Sequence, residues 1–172
     1  RLRAEMMEEG EHRAKILADL QEMEDMVGAT LAFARDENAD EPSRPIDLAA
    51  LMETIAGDAC DMDQPVSLVT AGSLPVLMRP RAFKRAVVNI IDNAVRYGGG
   101  AEIAVARDRD EAVIRIADHG PGIPEAEREN VLRPFYRCER SRSRDTGGIG
   151  LGLSIASDAI NAHGGRMALS ET

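Results

Sequence analysis

Asn89-Ile-Ile-Asp-Asn93-Ala-Val-Arg96-Tyr97 is the stretch on which the reading of this chain turns. It lies within a predicted helix over 80–97. Pro80 suits the first helical position, where its missing N–H removes nothing. Gly98-Gly-Gly100 stops the helix. Phe83, Val87, Ile90, Ile91 and Ala94 recur at helical spacing and form the expected buried side. Asn89, Asn93 and the pair Arg96/Tyr97 fall four and seven or eight residues apart, so they share one stripe. Asparagine is a poor helix former, and two in mid-helix need a reason. Mg²⁺ takes oxygen ligands and often only one from protein, the rest being water and phosphate. A carboxamide oxygen supplies that ligand without adding negative charge beside a polyphosphate. Arg96 can offer its fork to phosphate, and Tyr97 can lie against a purine. Two solvated asparagines on an exposed face give the same pattern, so the stripe alone leaves both readings open.

Outward from that helix, Asp47 can cap a helix over roughly 48–61. Val66–Val69 and Val76–Met78 read as short strands. Beyond the glycines, 102–106 and 112–117 alternate around the polar turn Asp108-Arg-Asp110, which predicts an antiparallel hairpin with Ile103 and Val105 against Val113, Ile114 and Ile116. A long Arg-rich stretch over 119–147 has no period. A helix follows from about Gly148–Gly152 to Ala162, and Arg166–Leu169 reads as a further strand. Strands clustered against helices without regular alternation imply an α+β fold, a two-layer α/β sandwich.

Two more segments carry chemistry. Asp118-His-Gly120-Pro-Gly122 leaves an apolar strand. An ionised carboxylate only accepts hydrogen bonds, so Asp118 suits the amino group of adenine and repels the carbonyl of guanine. The glycines let backbone approach a flat base; a plain strand-ending turn has the same composition. Thr146-Gly-Gly148-Ile-Gly150-Leu151-Gly152-Leu-Ser154 places alternate glycines before a helix, where free N–H groups attract an anion. It is neither a Walker A loop, lacking Gly-Lys-Ser/Thr, nor a dinucleotide fingerprint, since position 153 is Leu. Between these segments Arg133, Arg137, Arg140, Arg142 and Arg144 add positive charge. A structureless stretch of this length in a compact domain is usually functional.

Bulk properties narrow the field. A hydrophobic content of 44% argues against disorder. The net charge of −9 argues against a general nucleic-acid or anionic-membrane surface. No apolar run reaches the ~20 residues of a membrane helix, and no signal peptide is visible. Cys60 and Cys138 stand alone, as in a reducing cytoplasm. With no Trp, three Phe and two Tyr, the core must rest on aliphatic side chains. Residues 1–38 contain no proline and favour helix. Ile16, Leu20, Met23, Val27, Thr30 and Ala34 step by four and three, a coiled-coil seam. Arg1–Glu9 reads as the tail of a preceding helix stopped at Gly10. The expectation is a partial helical hairpin over 1–38 that dimerises into a four-helix bundle. A linker follows over 39–46, where Pro42 and Pro45 stand among polar residues, and then the main domain over 47–172.

The motifs together, in this order, resemble the N, G1, F and G2 boxes of sensor histidine kinases: N-x-x-x-N-A-x-R-Y, D-x-G-x-G, Arg133-Pro-Phe-Tyr-Arg137 and G-x-G-L-G. Arg1–Met7 and Arg85-Ala-Val-Val-Asn89 are most similar to osmosensor-type (EnvZ-like) members. The resemblance implies the Bergerat (GHKL) ATP-binding sandwich, with ATP or ADP and Mg²⁺ as ligands. It implies that Asn93 holds the metal with Asn89 beside it, and that Arg96 meets the phosphates. Tyr97 would stack on adenine, and Asp118 would read its amino group with Gly120, Gly122 and Ile123 around it. Phe135 would pack the lid base; Gly148, Gly150, Leu151 and Gly152 would cradle phosphate. The implied catalytic set is Asn89, Asn93 and Arg96. The implied partners are a response regulator and a second copy of the chain, in a cytoplasmic segment of an inner-membrane sensor, with membrane contact only through parts outside the segment.

Two departures qualify this. No His with a following acidic residue matches the acceptor box, since His12, His119 and His163 lie in other settings, read as structural or exposed. The closing strands of the fold are also expected beyond Thr172. Hydrolases of the same superfamily resemble E-x-x-x-N at this helix, the Glu activating water. Asn89 stands in that place and is a poor base, which favours a kinase over an ATPase. A serine kinase or anti-sigma factor of the same superfamily fits the motifs less well, because of the helical hairpin over 1–38. An ATP-binding regulatory module without kinase activity would carry the same motifs.

Overall fold

The computed structural model describes residues 41–138 and 149–171. The hairpin expected over 1–38, and His12 with it, lies outside them. Strand β1 (Arg44–Asp47) leads into helix α1 (Leu48–Asp61), followed by β2 (Val66–Thr70) and β3 (Pro75–Met78). Helix α2 (Pro80–Gly98), the hairpin β4 (Ala101–Asp108) and β5 (Glu111–Ala117), and helix α3 (Gly152–Ala162) complete the order, with two 3₁₀ turns at Glu125–Glu127 and Asn130–Leu132.

The hairpin forms in the anticipated register, with Ile103 opposite Ile116 and Val105 opposite Ile114. Its two-residue turn puts Arg109 at φ 54°. Strand β2 joins the other side of β4 in parallel, giving the order β2-β4-β5. The connection from β2 to β4 runs through α2, as a parallel pair requires a crossover. On β4, Ala101, Ile103 and Val105 are buried while Glu102, Ala104 and Ala106 are exposed, so one face of the sheet is covered. Against that face pack Leu48, Met52 and Ile55 of α1 and Val87, Ile91 and Ala94 of α2. Each fully buried Leu, Ile or Met contributes roughly 1.5–3 kcal/mol. The core is aliphatic, as the shortage of aromatics demands.

The predicted start of α1 is confirmed and extended. Asp47 Oδ1 accepts from Ala49 N at 3.1 Å and from Leu74 N at 2.9 Å; Oδ2 accepts from Ser73 Oγ at 2.6 Å. The Leu74 amide, then the Ser73 hydroxyl, hold the Asp47 carboxyl below the usual carboxylate range.

Two expectations change. The prolines predict a linker through residue 46, but Arg44–Asp47 pairs antiparallel with β3 in a separate two-stranded sheet. Pro45 is tolerated there because β1 is an edge strand, where a missing N–H need not interrupt a ladder. The alternation over Arg166–Leu169 predicts a strand, and the segment is not one. Its side chains keep an alternating exposure, with Met167 and Leu169 the more covered, but no described strand pairs with it. Alternation marks a strand only where a partner supplies the ladder.

Candidate functional site

The carboxyl-terminal half of α2 carries the asparagine stripe. Asn89, Asn93 and Tyr97 are half-buried and Arg96 is exposed, while Val87, Ile91 and Ala94 face the core. The anticipated buried side is corrected in two places: Phe83 and Ile90 are only half-buried, and Ala82 and Ala86 take fully buried positions instead.

Helix α3 packs on α2 in the opposite sense. Its first residue, Gly152, meets the asparagines: a Cβ placed there lies 3.5 Å from Asn93 Nδ2 and 3.8 Å from Asn89 Cβ. Its far end, His163, meets Arg79 and Phe83. Leu151 at the cap position of α3 offers no side-chain acceptor, and among the described residues no other side chain caps this helix start. Ser154 is buried, and its hydroxyl donates back to Leu151 O at 2.9 Å. The first-turn amides of α3, at the positive end of its dipole, therefore lie against the asparagine pair.

Asp118 lies just past β5, beside the end of α2. Its Oδ1 accepts from Gly120 N at 2.8 Å, which orients the exposed carboxylate. Two glycines make room for it. A Cβ on Gly98 would stand 2.5 Å from Asp118 Cβ, and one on Gly120 would stand 2.7 Å from Asp118 Oδ1 and 2.8 Å from Tyr97 O. In the sequence Gly98 reads only as a helix stop; the real terminator in left-handed conformation is Gly99, at φ 73°. Nothing in the local sequence separates these two roles, because both are a glycine after a helix.

The Arg-rich stretch is closed at its base. Phe135 N donates to Gly150 O at 2.8 Å. Gly150, at φ 76°, comes so near that a Cβ would lie 2.6 Å from Tyr136 O. Tyr136 Oη donates to the Glu127 carboxylate, which pushes the phenol pKa up. Burial, with Glu127 adding its charge, pushes the Cys138 thiol up as well. Phe135 joins this base through its backbone, and its ring is 57% exposed. Gly122 has φ 67°, and Ile123 O accepts from Arg128 Nε at 3.2 Å. Leu151 is buried; Arg133 is exposed and Arg137 half-buried. Gly148, Arg140, Arg142 and Arg144 lie outside the described residues.

The stripe, Asp118 and the start of α3 thus share one end of α2. His119 is exposed and 3.1 Å from Glu102, away from any buried partner. Among the described residues no group of three His, Cys, Asp or Glu could hold a metal ion, and no helix is long and apolar enough to cross a membrane.

Known proteins resemble this chain over most of its length. Over 169 residues, 98% of its length, the chain is 33% identical to the sensor histidine kinase GtrS of Pseudomonas aeruginosa, of which it covers 35%. The chain spans about a third of the length of the curated relatives it matches. Among solved structures, the ATP-binding domain of PrrB from Mycobacterium tuberculosis superposes with a TM-score of 0.59 at 30% identity, over 74% of this chain and 85% of that one. The histidine kinase domain of the Escherichia coli osmosensor EnvZ gives a TM-score of 0.59 at 30% identity, over 76% and 81%. Residues 78–172, from the end of β3 onward, match the family of histidine kinase-, DNA gyrase B- and HSP90-like ATPases, and the chain belongs to that family.

Proposed function

We propose that this chain is the ATP-binding catalytic part of a two-component sensor histidine kinase, and that it binds Mg-ATP for transfer of the γ-phosphoryl group to a histidine. The observation that carries this reading is the meeting of the uncapped start of α3 with Asn89 and Asn93. Free amides suit an anion, and amide oxygens suit Mg²⁺ shared with phosphate. With no carboxylate or imidazole cluster among the described residues, Asn93 is the protein ligand of choice, with Asn89 beside it. The metal supplies charge neutralisation at the phosphates. Arg96 reaches toward phosphate from the exposed end of the stripe, and Tyr97 and Asp118 define the base end. Gly120, Gly122 and Ile123 line that end; Gly150, Leu151 and Gly152 line the phosphate end. The ring of Phe135 is exposed where the lid begins.

The kinase reading rests on Asn89. Transfer to water needs a base beside the γ-phosphate, and a carboxamide cannot serve. Transfer to a side chain needs mainly positioning and charge neutralisation. Neither His119, exposed beside Glu102, nor His163, held at the far end of α3, is proposed as acceptor; the acceptor belongs to an upstream helical hairpin. A response regulator would receive the phosphoryl group, and the hairpin would dimerise in a cytoplasmic portion of a membrane sensor.

Calorimetry with ADP and Mg²⁺ tests the site. Binding is expected, and Asn93→Ala should abolish most of it; equal affinity in the variant would sink the assignment. Adding a separate His-containing hairpin domain and γ-labelled ATP tests the reaction. Acid-labile, base-stable label on that domain supports the kinase, and release of phosphate alone supports a hydrolase.

A further inference from the structure

His163 sits at the opposite end of α3 from Gly152, and both of its ring nitrogens are engaged. Nδ1 lies 2.6 Å from Ala159 O. A carbonyl oxygen only accepts, so Nδ1 carries the proton and Nε2 is bare. Nε2 takes the backbone N–H of Arg79 at 2.9 Å. Arg79 is the residue that opens α2. Phe83, one turn into α2, meets the imidazole edge to face with centroids 5.9 Å apart. One neutral ring therefore ties the last turn of α3 to the first turn of α2.

We infer that His163 is a positioning residue for the nucleotide site: its neutral ring pins α3 along α2 so that Gly152 stays against Asn89 and Asn93, and protonation of Nε2 releases the pin. The inference rests on the nucleotide-binding reading given above. Helix α3 has 11 residues, about 16 Å at 1.5 Å each, so the pin and the site occupy its two ends. Between them its fully buried side chains are Ser154 and Ala156, both small, which interlock with a neighbour less than large ones do. Among the described residues the start of α3 has no side-chain cap to fix it.

An imidazolium has two donors and no acceptor, so it cannot take the Arg79 N–H. The charged groups near His163 on the elements that meet there are Arg79, Arg81, Lys84 and Arg85 at the start of α2 and Asp158 on α3; Asp92 and Arg96 lie toward the other end of α2. Glu41, which accepts from Arg81 N and Ala82 N, and Arg166 beyond the following turn complete the set.

The experiment uses the 172-residue chain and two readouts. In NMR without nucleotide, the Arg79 and Gly152 amide signals should follow the titration of the His163 ring. In His163→Gln, whose amide oxygen accepts without titrating, both should stay fixed over the same pH range. In calorimetry with ADP and Mg²⁺, acidification through that titration should weaken wild-type binding about fivefold, the equivalent of one neutral hydrogen bond. His163→Gln should keep the neutral-pH affinity and lose the pH dependence; His163→Ala should show the weakened affinity throughout. Amides that ignore the ring titration overturn the inference, as does a His163→Gln profile that falls as the wild type does. If wild type binds no ADP, the nucleotide reading fails, and the Gly152 amide alone decides whether His163 sets the start of α3.

Discussion

Helix α2 begins with its backbone donors accounted for, whereas among the described residues nothing accepts from the first turn of α3. At the start of α2, Pro80 has no N–H, Glu41 accepts from Arg81 N at 2.9 Å and Ala82 N at 3.1 Å, and Phe83 N returns to Arg79 O. Helix α1 is likewise closed by Asp47. Helix α3 has a buried leucine at the cap position and a serine whose hydroxyl turns the other way. Orphan donors at a helix end need a partner. The domain satisfies two such ends from its own side chains and leaves the third against two asparagines, which is the contrast that the proposed nucleotide site rests on.

The most direct way to break this comparison is to remove what faces the open end. Asn93→Ala should weaken binding of ADP with Mg²⁺ by about a hundredfold, because even outer-shell changes around a metal cost 10–100-fold. Its melting temperature should stay close to wild type, since the residue is only half-buried. Loss of melting temperature together with binding would assign Asn93 to the fold instead.

Filling the open end is the next test. A Cβ on Gly152 finds ordinary contact distances of 3.5 Å and beyond, and alanine is the better helix former. Gly152→Ala should therefore fold at least as well as wild type while binding nucleotide about tenfold more weakly, the order expected when a fitted contact is displaced. Unchanged affinity would mean that the start of α3 is not used. The neighbouring corner behaves differently: Gly98→Ala meets Asp118 Cβ, not a flexible tip, so it should lower stability and displace the carboxylate at once.

How much of this is legible in the sequence follows the range of each interaction. Local signals come through: the Pro80 start, the Asp47 cap, the hairpin register and the aliphatic core each depend on neighbours in sequence or on period. Asn93, Asp118 and Gly152 stand out in the sequence because they are chemically odd for their elements, and the fold brings Asn93 and Gly152 together. What sequence cannot show depends on pairing at a distance. Glu41 reads as linker composition, yet it closes a helix forty residues away. Pro45 reads as a breaker, yet an edge strand accepts it. His163 precedes a Gly-Gly turn like any polar residue, and only the fold brings it to Arg79. Arg166–Leu169 is the opposite case, a local alternation with no ladder.

The closed ends offer the complementary tests. Glu41→Ala removes two acceptors from the start of α2 and should cost about 1 kcal/mol of stability, as lost caps do. Nucleotide affinity should hold, because the open end of α3 and the asparagine stripe lie at the other end of the helix pair. A denaturation midpoint unchanged from wild type would show that α2 does not need its cap.

The smallest effect belongs to Asp47, and its sign follows from its hydrogen bonds. The Leu74 amide and the Ser73 hydroxyl favour the charged carboxylate, so its pKa in the folded chain lies below the ordinary 3.8. The stabilisation is therefore present above that value and is lost as pH falls through the folded pKa. Asp47→Asn keeps an oxygen for the Ala49 amide but has no charge to lose. Wild type should be the more stable at neutral pH, and the two melting curves should draw together as the solution is taken below 3.8. A gap that persists in acid would mean that shape, not charge, makes Asp47 the cap of α1. The contrast between closed and open helix starts would then rest on packing alone.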